Sequence, residues 1–143
     1  MGLRWKPRSN FSISIDPEYS NNTDVAQWIT AVDDETMTDT YGSRYVFGTI
    51  NQETVSCSIR VNWVFTPKLS LQAYIQPFIA VGHYTDFKEF ARPRTFDFNR
   101  FGQGGSTISY GDEVYTVDPD GSGPAPVFSF DNPDFKQQCL CAV

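Results

Sequence analysis

The sequence is poor in the residues that metal sites, nucleophilic catalysis and helical folds require. Its 143 residues include one histidine, three cysteines and four leucines. With a single histidine (His83), neither a multi-histidine metal site nor a cysteine–histidine nucleophile system is expected. Few leucines among many Phe, Tyr, Thr, Ser and Val residues argue against a helical bundle and favour strands. We therefore predict an all-β chain with no catalytic residue, no cofactor and no metal site.

Basic charge and long apolar runs are also scarce. The net charge is -6, from 17 acidic and 11 basic residues, so the basic surface that nucleic acids require is missing. The sequence has no run of about 18 apolar residues, so no transmembrane helix is predicted. Residues 1–10 lack the apolar stretch of a signal peptide. A membrane role would have to come from strands. Cys57, Cys139 and Cys141 form neither an even disulfide framework nor zinc spacing, and we interpret them as incidental.

The strongest positive signal is a long alternation of polar and apolar residues. It predicts strands at about 11–33, 44–65 and 69–84, a long loop at about 85–134, and the start of a further strand at 135–143. One face is apolar and comprises Ile13, Ile15, Val55, Ile59, Val61, Trp63, Leu71, Ile75 and Ile79. The other face is polar and comprises Ser14, Asp16, Glu18, Arg60, Asn62, Gln72, Tyr74 and Gln76.

Two architectures fit such two-faced strands, a soluble sandwich and a transmembrane barrel. Strands of soluble proteins usually run about 5 or 6 residues, whereas a membrane strand needs about 9 to 11. The observed runs are of the longer kind, and Trp63 and Phe65 lie beside a short turn, where a membrane-interface aromatic girdle is expected. We predict an antiparallel meander that forms part of a transmembrane barrel, with the apolar set facing lipid and the polar set facing the lumen.

The predicted pairing places Phe11 opposite Phe65 in an antiparallel register. It puts the tip of that hairpin near residues 34–40, in a run that holds four acidic residues and no cation: Asp33, Asp34, Glu35 and Asp39. We interpret this run as a solvated loop, since charge runs usually are. Short turns at one end and long loops at the other are typical of outer-membrane barrels, whose long loops are extracellular.

The region 85–134 is rich in glycine and proline, which predicts one long excursion with short strands near 114–117 and 127–130. It is too aromatic to be disordered. Five phenylalanines predict a small packed cluster, which either caps the barrel mouth or folds into the lumen: Phe87, Phe90, Phe96, Phe98 and Phe101.

Several side chains invite a chemical interpretation. Asp118 and Asp120 lie in an Asp-Pro-Asp-Gly run, a weak calcium candidate for which an ordinary turn is the simpler interpretation. Arg92 and Arg94 suggest an anion-binding site. We favour the alternative that they form ion pairs within the loop, with Asp86, Glu89 and Asp97. Asp16 and Glu18 suggest the paired carboxylates of a glycoside hydrolase. Trp28 and Tyr45 suggest an aromatic surface on which a sugar could stack. None of these patterns is specific.

Several separate sequence blocks resemble one bacterial family. These blocks are residues 19–27, 41–47, 62–72, 74–78, 86–89, 93–98, 115–121 and 132–135. They are similar to the C-terminal region of large bacterial proteins, and this region is classed as a domain of unknown function. Those proteins carry a family-nine-like carbohydrate-binding domain followed by an outer-membrane-type barrel. The resemblance implies an outer-membrane location and a barrel fold, and it implies no reaction and no catalytic residue.

These observations lead to one expected function and one alternative. About four strands cannot close a barrel, for which eight is the usual minimum, so we expect a fragment of a larger one. The expected function is a non-catalytic segment of a Gram-negative outer-membrane barrel, linked to carbohydrate binding or passage at the cell surface. Its expected partners are outer-membrane lipid, the remaining strands of the parent barrel and carbohydrate. The alternative is a soluble secreted β-sandwich that binds carbohydrate, which would need a second sheet to cover the apolar face.

Overall fold

The computed structural model describes residues 2–142, so Met1 and the last residue of the predicted final strand, Val143, lie outside the described residues. The strands are β1 (Leu3–Arg8), β2 (Phe11–Asp33), β3 (Ser43–Thr66), β4 (Leu69–Phe90), β5 (Phe98–Arg100), β6 (Thr107–Gly111), β7 (Val114–Asp118), β8 (Phe128–Asp131) and β9 (Phe135–Ala142). A single 3-10 turn, Thr38–Thr40, is the only helical element among residues 2–142. The predicted all-β antiparallel meander is therefore confirmed, whereas β1, β5 and β6 were not predicted.

The strands form two sheets. The larger sheet has the order β1-β2-β3-β4-β5, with β9 also paired to β4, and the smaller sheet has the order β6-β7-β8. Within residues 2–142 the larger sheet is open, because β1 pairs only with β2 and β9 only with β4. No helix among the described residues is long and apolar enough to cross a membrane.

The chain divides into two compact units. Unit 1 contains the described residues of the ranges 1–22, 52–82 and 135–143, and unit 2 contains residues 23–51 and 83–134. The long strands β2, β3 and β4 each contribute residues to both units. Each unit is described by itself below.

In unit 1 the register of β2 with β3 differs from the predicted one by two residues. The Val64 amide donates to the Asn10 carbonyl at 2.8 Å, and the ring centroids of Phe11 and Trp63 are 5.6 Å apart. Phe11 thus contacts Trp63, and the prediction that it lies opposite Phe65 is wrong. Because side chains alternate with a period of two, a two-residue shift leaves every residue on its predicted face.

Unit 2 contains a hydrophobic core of large side chains. Its buried members are Val46, Phe87, Phe101, Val117, Phe128 and Phe130. The small sheet β6-β7-β8 supplies half of them, because Val117 lies in β7 and Phe128 and Phe130 lie in β8. Asp112 and Glu113 join β6 to β7 with φ angles of 53° and 65°. Positive φ at both central residues is the geometry of a two-residue turn that suits the twist of a hairpin.

The predicted cluster of five phenylalanines is only partly correct. Phe87 and Phe101 belong to the core of unit 2. Phe90 and Phe98 stack on each other with centroids 5.2 Å apart and contact Phe47 in β3. Phe96 is 88% exposed and packs in neither group. Phe96 lies in the loop between β4 and β5.

Candidate functional site

The apolar face of unit 1 is uncovered. Its residues Val55, Leu71 and Ile79 are 52%, 47% and 43% exposed, and the remaining predicted members are half-buried, except the exposed Trp63. Ala80 is the only buried hydrophobic residue among those described in unit 1. Water-soluble domains bury such surfaces in a core, and a contiguous exposed apolar face marks an interaction surface.

A chain of aromatic rings crosses β1, β2 and β3 on this apolar face. Trp5 and Phe11 have ring centroids 6.1 Å apart, and Phe11 and Trp63 are 5.6 Å apart. Trp63 and Phe65 continue the chain at 4.4 Å. All four rings lie close to the tight turns that end these strands. Aromatic rings are enriched at this position when strands end at a membrane–water interface.

The opposite face of unit 1 holds three depressions lined mostly by polar residues. The first is lined by Arg4, Ser12, Ser14, Asp16, Arg60 and Asn62, together with Gly2 and Leu3. The second is lined by Arg60, Asn62, Gln72, Ala73 and Tyr74. The third is lined by Glu18, Ser20, Thr54, Ser56, Gln76, Phe78, Cys139 and Cys141. All eight residues of the predicted polar set lie in these depressions, whereas the suggested glycosidase pair, Asp16 and Glu18, is divided between two of them.

A hydrogen-bonded network fixes Tyr74 on this polar face. The Tyr74 hydroxyl donates to Gln76 Oε1 at 2.8 Å and lies 3.2 Å from Ser58 Oγ. The Arg60 guanidinium lies over the Tyr74 ring, 5.3 Å from its centroid. An arginine on an aromatic face is a favourable cation–π arrangement. The network provides hydroxyl, amide and guanidinium groups on a wet surface, and it offers no nucleophile paired with a base.

Unit 2 contains a buried ion cluster of Asp34, Arg44 and Glu89. Arg44 Nε and Nη2 donate to Asp34 Oδ2 at 3.0 and 2.6 Å, and Arg44 Nη1 donates to Glu89. The amide and hydroxyl of Thr36 donate to Asp34 Oδ1 at 2.9 and 2.6 Å. Asp34 is only 3% exposed. The prediction that the whole acidic run is a solvated loop is therefore wrong at Asp34, because an arginine ten residues away neutralises it.

The surroundings of this cluster shift two pKa values in opposite directions. Burial by itself raises the pKa of Asp34, but the hydrogen bonds from Thr36 and Arg44 outweigh it and hold that pKa below its ordinary value. Burial by itself lowers the pKa of Arg44, but its bonds to Asp34 and Glu89 outweigh it and hold that pKa above its ordinary value. Both groups therefore stay charged, and the cluster acts as a structural brace.

The predicted loop-internal ion network of unit 2 forms with different partners. Arg92 pairs with Asp97 at 2.6 Å, as expected. Asp86 instead binds Lys88 at 2.9 Å and Arg100 at 3.4 Å, and Glu89 belongs to the buried cluster. Asp97 thus neutralises the Arg92 guanidinium in the loop between β4 and β5.

Asp134 orders the residues that follow β8. Its Oδ2 lies 2.7 Å from His83 Nδ1, and its Oδ1 accepts the Tyr84 amide at 2.6 Å. The His83 side chain is largely exposed. Burial, followed by the charge of Asp134, raises the pKa of the Tyr84 phenol. His83 is therefore paired with a half-buried carboxylate.

The weak calcium candidates are engaged by their own loop. Asp118 Oδ1 accepts the Gly121 amide at 2.8 Å, and Asp120 Oδ2 accepts the Ala125 amide at 2.9 Å. Within residues 2–142, no group of three or more His, Cys, Asp or Glu side chains is arranged to hold a metal ion. Aspartates that bind following backbone amides are typical turn residues. Trp28 and Tyr45, the suggested sugar platform, are both exposed in unit 2.

Cys139 and Cys141 are the feature that sequence reasoning missed. Their Sγ atoms lie 3.6 Å apart in the third depression. Cys57 lies in β3 and is half-buried. The signal was present in the sequence, because residues two apart on a strand project from the same face. The prediction that the cysteines are incidental rested on disulfide count and zinc spacing, although both residues lie in the predicted strand 135–143.

Comparisons of the chain with protein-family models, with curated proteins and with solved structures find no match.

Proposed function

We propose that this chain is a non-catalytic segment of a Gram-negative outer-membrane β-barrel protein, linked to carbohydrate binding or passage at the cell surface. Unit 1 forms part of the barrel wall in this proposal. Its apolar face contacts lipid, and its polar face lines an aqueous lumen. Unit 2 has the buried core of a water-exposed fold and belongs to the extracellular part.

The observation that carries the proposal is the uncovered apolar face of unit 1. Transmembrane strands alternate apolar-out and polar-in, because lipid replaces the hydrophobic core on one side. Among the described residues of unit 1, no second sheet covers the exposed Val55, Leu71 and Ile79. The aromatic chain from Trp5 to Phe65 supports the same placement, since its rings lie at the ends of the strands.

The alternative, a soluble β-sandwich that binds carbohydrate, receives less support. A sandwich packs two sheets face to face at about 10 Å, and the second sheet of this chain, β6-β7-β8, lies wholly in unit 2. A sandwich strand is also shorter, about 5 or 6 residues, whereas β2, β3 and β4 have 23, 24 and 22 residues.

A pair of arginine substitutions tests the lipid contact. Ile59→Arg places a charge on the apolar face, and Ser56→Arg places one on the polar face of the same strand. In phosphatidylcholine vesicles we expect Ile59→Arg to lower the free energy of unfolding by about 2 to 4 kcal/mol. The matched Ser56→Arg variant should lose much less stability, since residue 56 faces water in this proposal. Equal losses in the two variants, or cooperative folding of unit 1 in a monomer without lipid or detergent, would exclude the membrane proposal.

The carbohydrate link is tested separately. It is supported by the sequence blocks that resemble a carbohydrate-associated family and by exposed aromatic side chains such as Trp28 and Tyr45, since flat apolar rings pack against sugars. The probes are cello- and malto-oligosaccharides added to the detergent-folded chain. Binding that is lost in Trp28→Ala or Tyr45→Ala supports the link. Absence of binding to every probe removes the carbohydrate part and leaves the barrel proposal unaffected.

A further inference from the structure

Two thiols lie side by side on the polar face of unit 1. Cys139 and Cys141 are two residues apart in β9, and their Sγ atoms are 3.6 Å apart. Both cysteines are exposed. β9 pairs with β4 so that Cys139 lies opposite Phe78 and Cys141 opposite Gln76. The thiols therefore share a depression with the Glu18 carboxyl group.

The extended backbone of β9 disfavours a disulfide between these two thiols. Residues i and i+2 of a strand are separated by about 6.4 to 6.8 Å along the chain, and their side chains project in the same direction. The Cβ atoms of a disulfide are only about 3.5 to 4.5 Å apart. Closing the bond would bend the strand at Leu140 and break its pairing with Pro77. The sheet thus keeps both sulfur atoms as thiols.

The sulfur separation instead matches two ligands of one metal ion. Two sulfur atoms that each lie about 2.3 Å from a tetrahedral cation are about 3.8 Å apart, close to the observed 3.6 Å. Thiolates select soft and borderline cations over calcium or magnesium. We propose that Cys139 and Cys141 chelate one thiophilic divalent cation of the zinc–cadmium class.

The binding step is an exchange of protons for metal. Two sulfur–metal bonds form and two S–H bonds break, and both protons pass to the solvent, so no electron is transferred. Because the thiols must lose their protons, metal affinity decreases as the pH falls. No third His, Cys, Asp or Glu completes a ligand cluster among the described residues. The remaining coordination positions are therefore open to water in the depression.

This inference does not depend on the membrane proposal. It rests on the geometry of β9 and β4 within the sheet of unit 1, which is the same whether lipid or a second protein covers the apolar face. Vesicle insertion and metal binding therefore fail or succeed independently, and each has its own measurement.

The test uses the full chain, reduced and folded in detergent, with cadmium ion as the probe. Thiolate-to-cadmium charge-transfer absorbance and proton release are followed during titration. We expect one cadmium per chain with release of two protons. Cys139→Ser and Cys141→Ser should each weaken binding by more than about tenfold, the loss that even outer partners of metal ligands produce.

Cys57→Ser is the matched control, because Cys57 belongs to the alternating set of the other face of β3 and should leave the titration unchanged. Circular dichroism of each variant checks that the sheet has formed. The inference is overturned if cadmium binding survives the double change of Cys139 and Cys141 to serine, if one cadmium bridges two chains, or if thiol counting finds a Cys139–Cys141 disulfide in the folded chain.

Discussion

At the residue scale, the most consequential side chain is a buried arginine that joins two distant acids. Arg44 binds Asp34, ten residues away, and Glu89, 45 residues away. Removing one partner of a buried charge pair lowers stability strongly, because the remaining charges stay buried without a partner. The loss is far larger than the stability that the intact pair adds relative to apolar residues in its place. The cluster therefore makes the loop between β2 and β3 dependent on one residue.

Arg44→Met should destabilise unit 2 by about 3 to 5 kcal/mol, because Asp34 and Glu89 would remain buried without a cation. Hydrogen exchange of the Asp34 amide, which donates to the Gly42 carbonyl at 2.9 Å, measures the loss locally. Arg92→Met is the control, since the Arg92–Asp97 pair is largely exposed and such pairs contribute about 0 to 1 kcal/mol. Similar losses in both variants would show that the buried cluster is not a brace.

The lowered pKa of Asp34 predicts a loss of stability in acid. A carboxyl group whose pKa is lower when folded contributes stability above its ordinary pKa of 3.8, and the contribution disappears as the pH falls through the folded value. We expect exchange of the loop amides to be insensitive to pH changes from 7 to 5 and to accelerate below about pH 4, after correction for intrinsic rates. Asp34→Asn should remove this acid dependence. An unchanged profile in that variant would assign the effect to another group.

At the element scale, the pairing of β9 with β4 depends on a small residue. Gly82 lies opposite Phe135, and the Phe135 ring occupies the space that a Cβ on Gly82 would need. The ring therefore covers the backbone of β4 at the point where β9 begins. Glycine in a strand interior often marks such a close approach.

Gly82→Ala should weaken the pairing of β9, with a cost of about 1 to 3 kcal/mol typical of overpacking. Hydrogen exchange of the β9 amides reports the change. Gly111→Ala is the matched control, because a Cβ at that strand end meets no atom within 4 Å and its φ is not positive. The double variant Gly82→Ala with Phe135→Leu should recover part of the loss, and failure to recover would indicate that the ring is not the cause.

At the scale of the whole molecule, the two units differ in how they exclude water. Unit 2 buries Val46, Phe87 and Val117 in a core, whereas the described apolar residues of unit 1, apart from Ala80, remain exposed or half-buried. Unfolding a sheet without a core costs little free energy in water, because few apolar groups move from a buried environment into water. The units should therefore respond differently to lipid.

We expect the amides of β6, β7 and β8 to be protected from hydrogen exchange in buffer alone. The amides of unit 1, in residues 11–22 and 52–66, should gain protection only when detergent or phosphatidylcholine vesicles are added, because lipid then covers the apolar face. Exchange followed by mass spectrometry of proteolytic fragments measures both regions in one sample. Strong protection of unit 1 in buffer would contradict the barrel proposal and favour a soluble sandwich.

The sequence alone determined the local features of this protein. Alternation over residues 11–19 predicted the first half of β2. Alternation in β3 assigned Ile59 and Arg60 to opposite faces, because a strand places successive side chains on opposite sides. That assignment survived a register error, since the error was an even number of residues. The short strands β7 and β8 were also predicted close to their observed positions.

The tertiary structure decided whatever depends on residues far apart in the chain. The partner of Asp34, the register of Phe11 and the burial of Phe101 each depend on which strands pair and which elements pack together. Local pattern carries no information on these contacts, because the same alternation permits several registers and many packing partners. The proximity of Cys139 and Cys141 lies between the two cases, since the strand makes them neighbours and the pairing with β4 holds that strand extended.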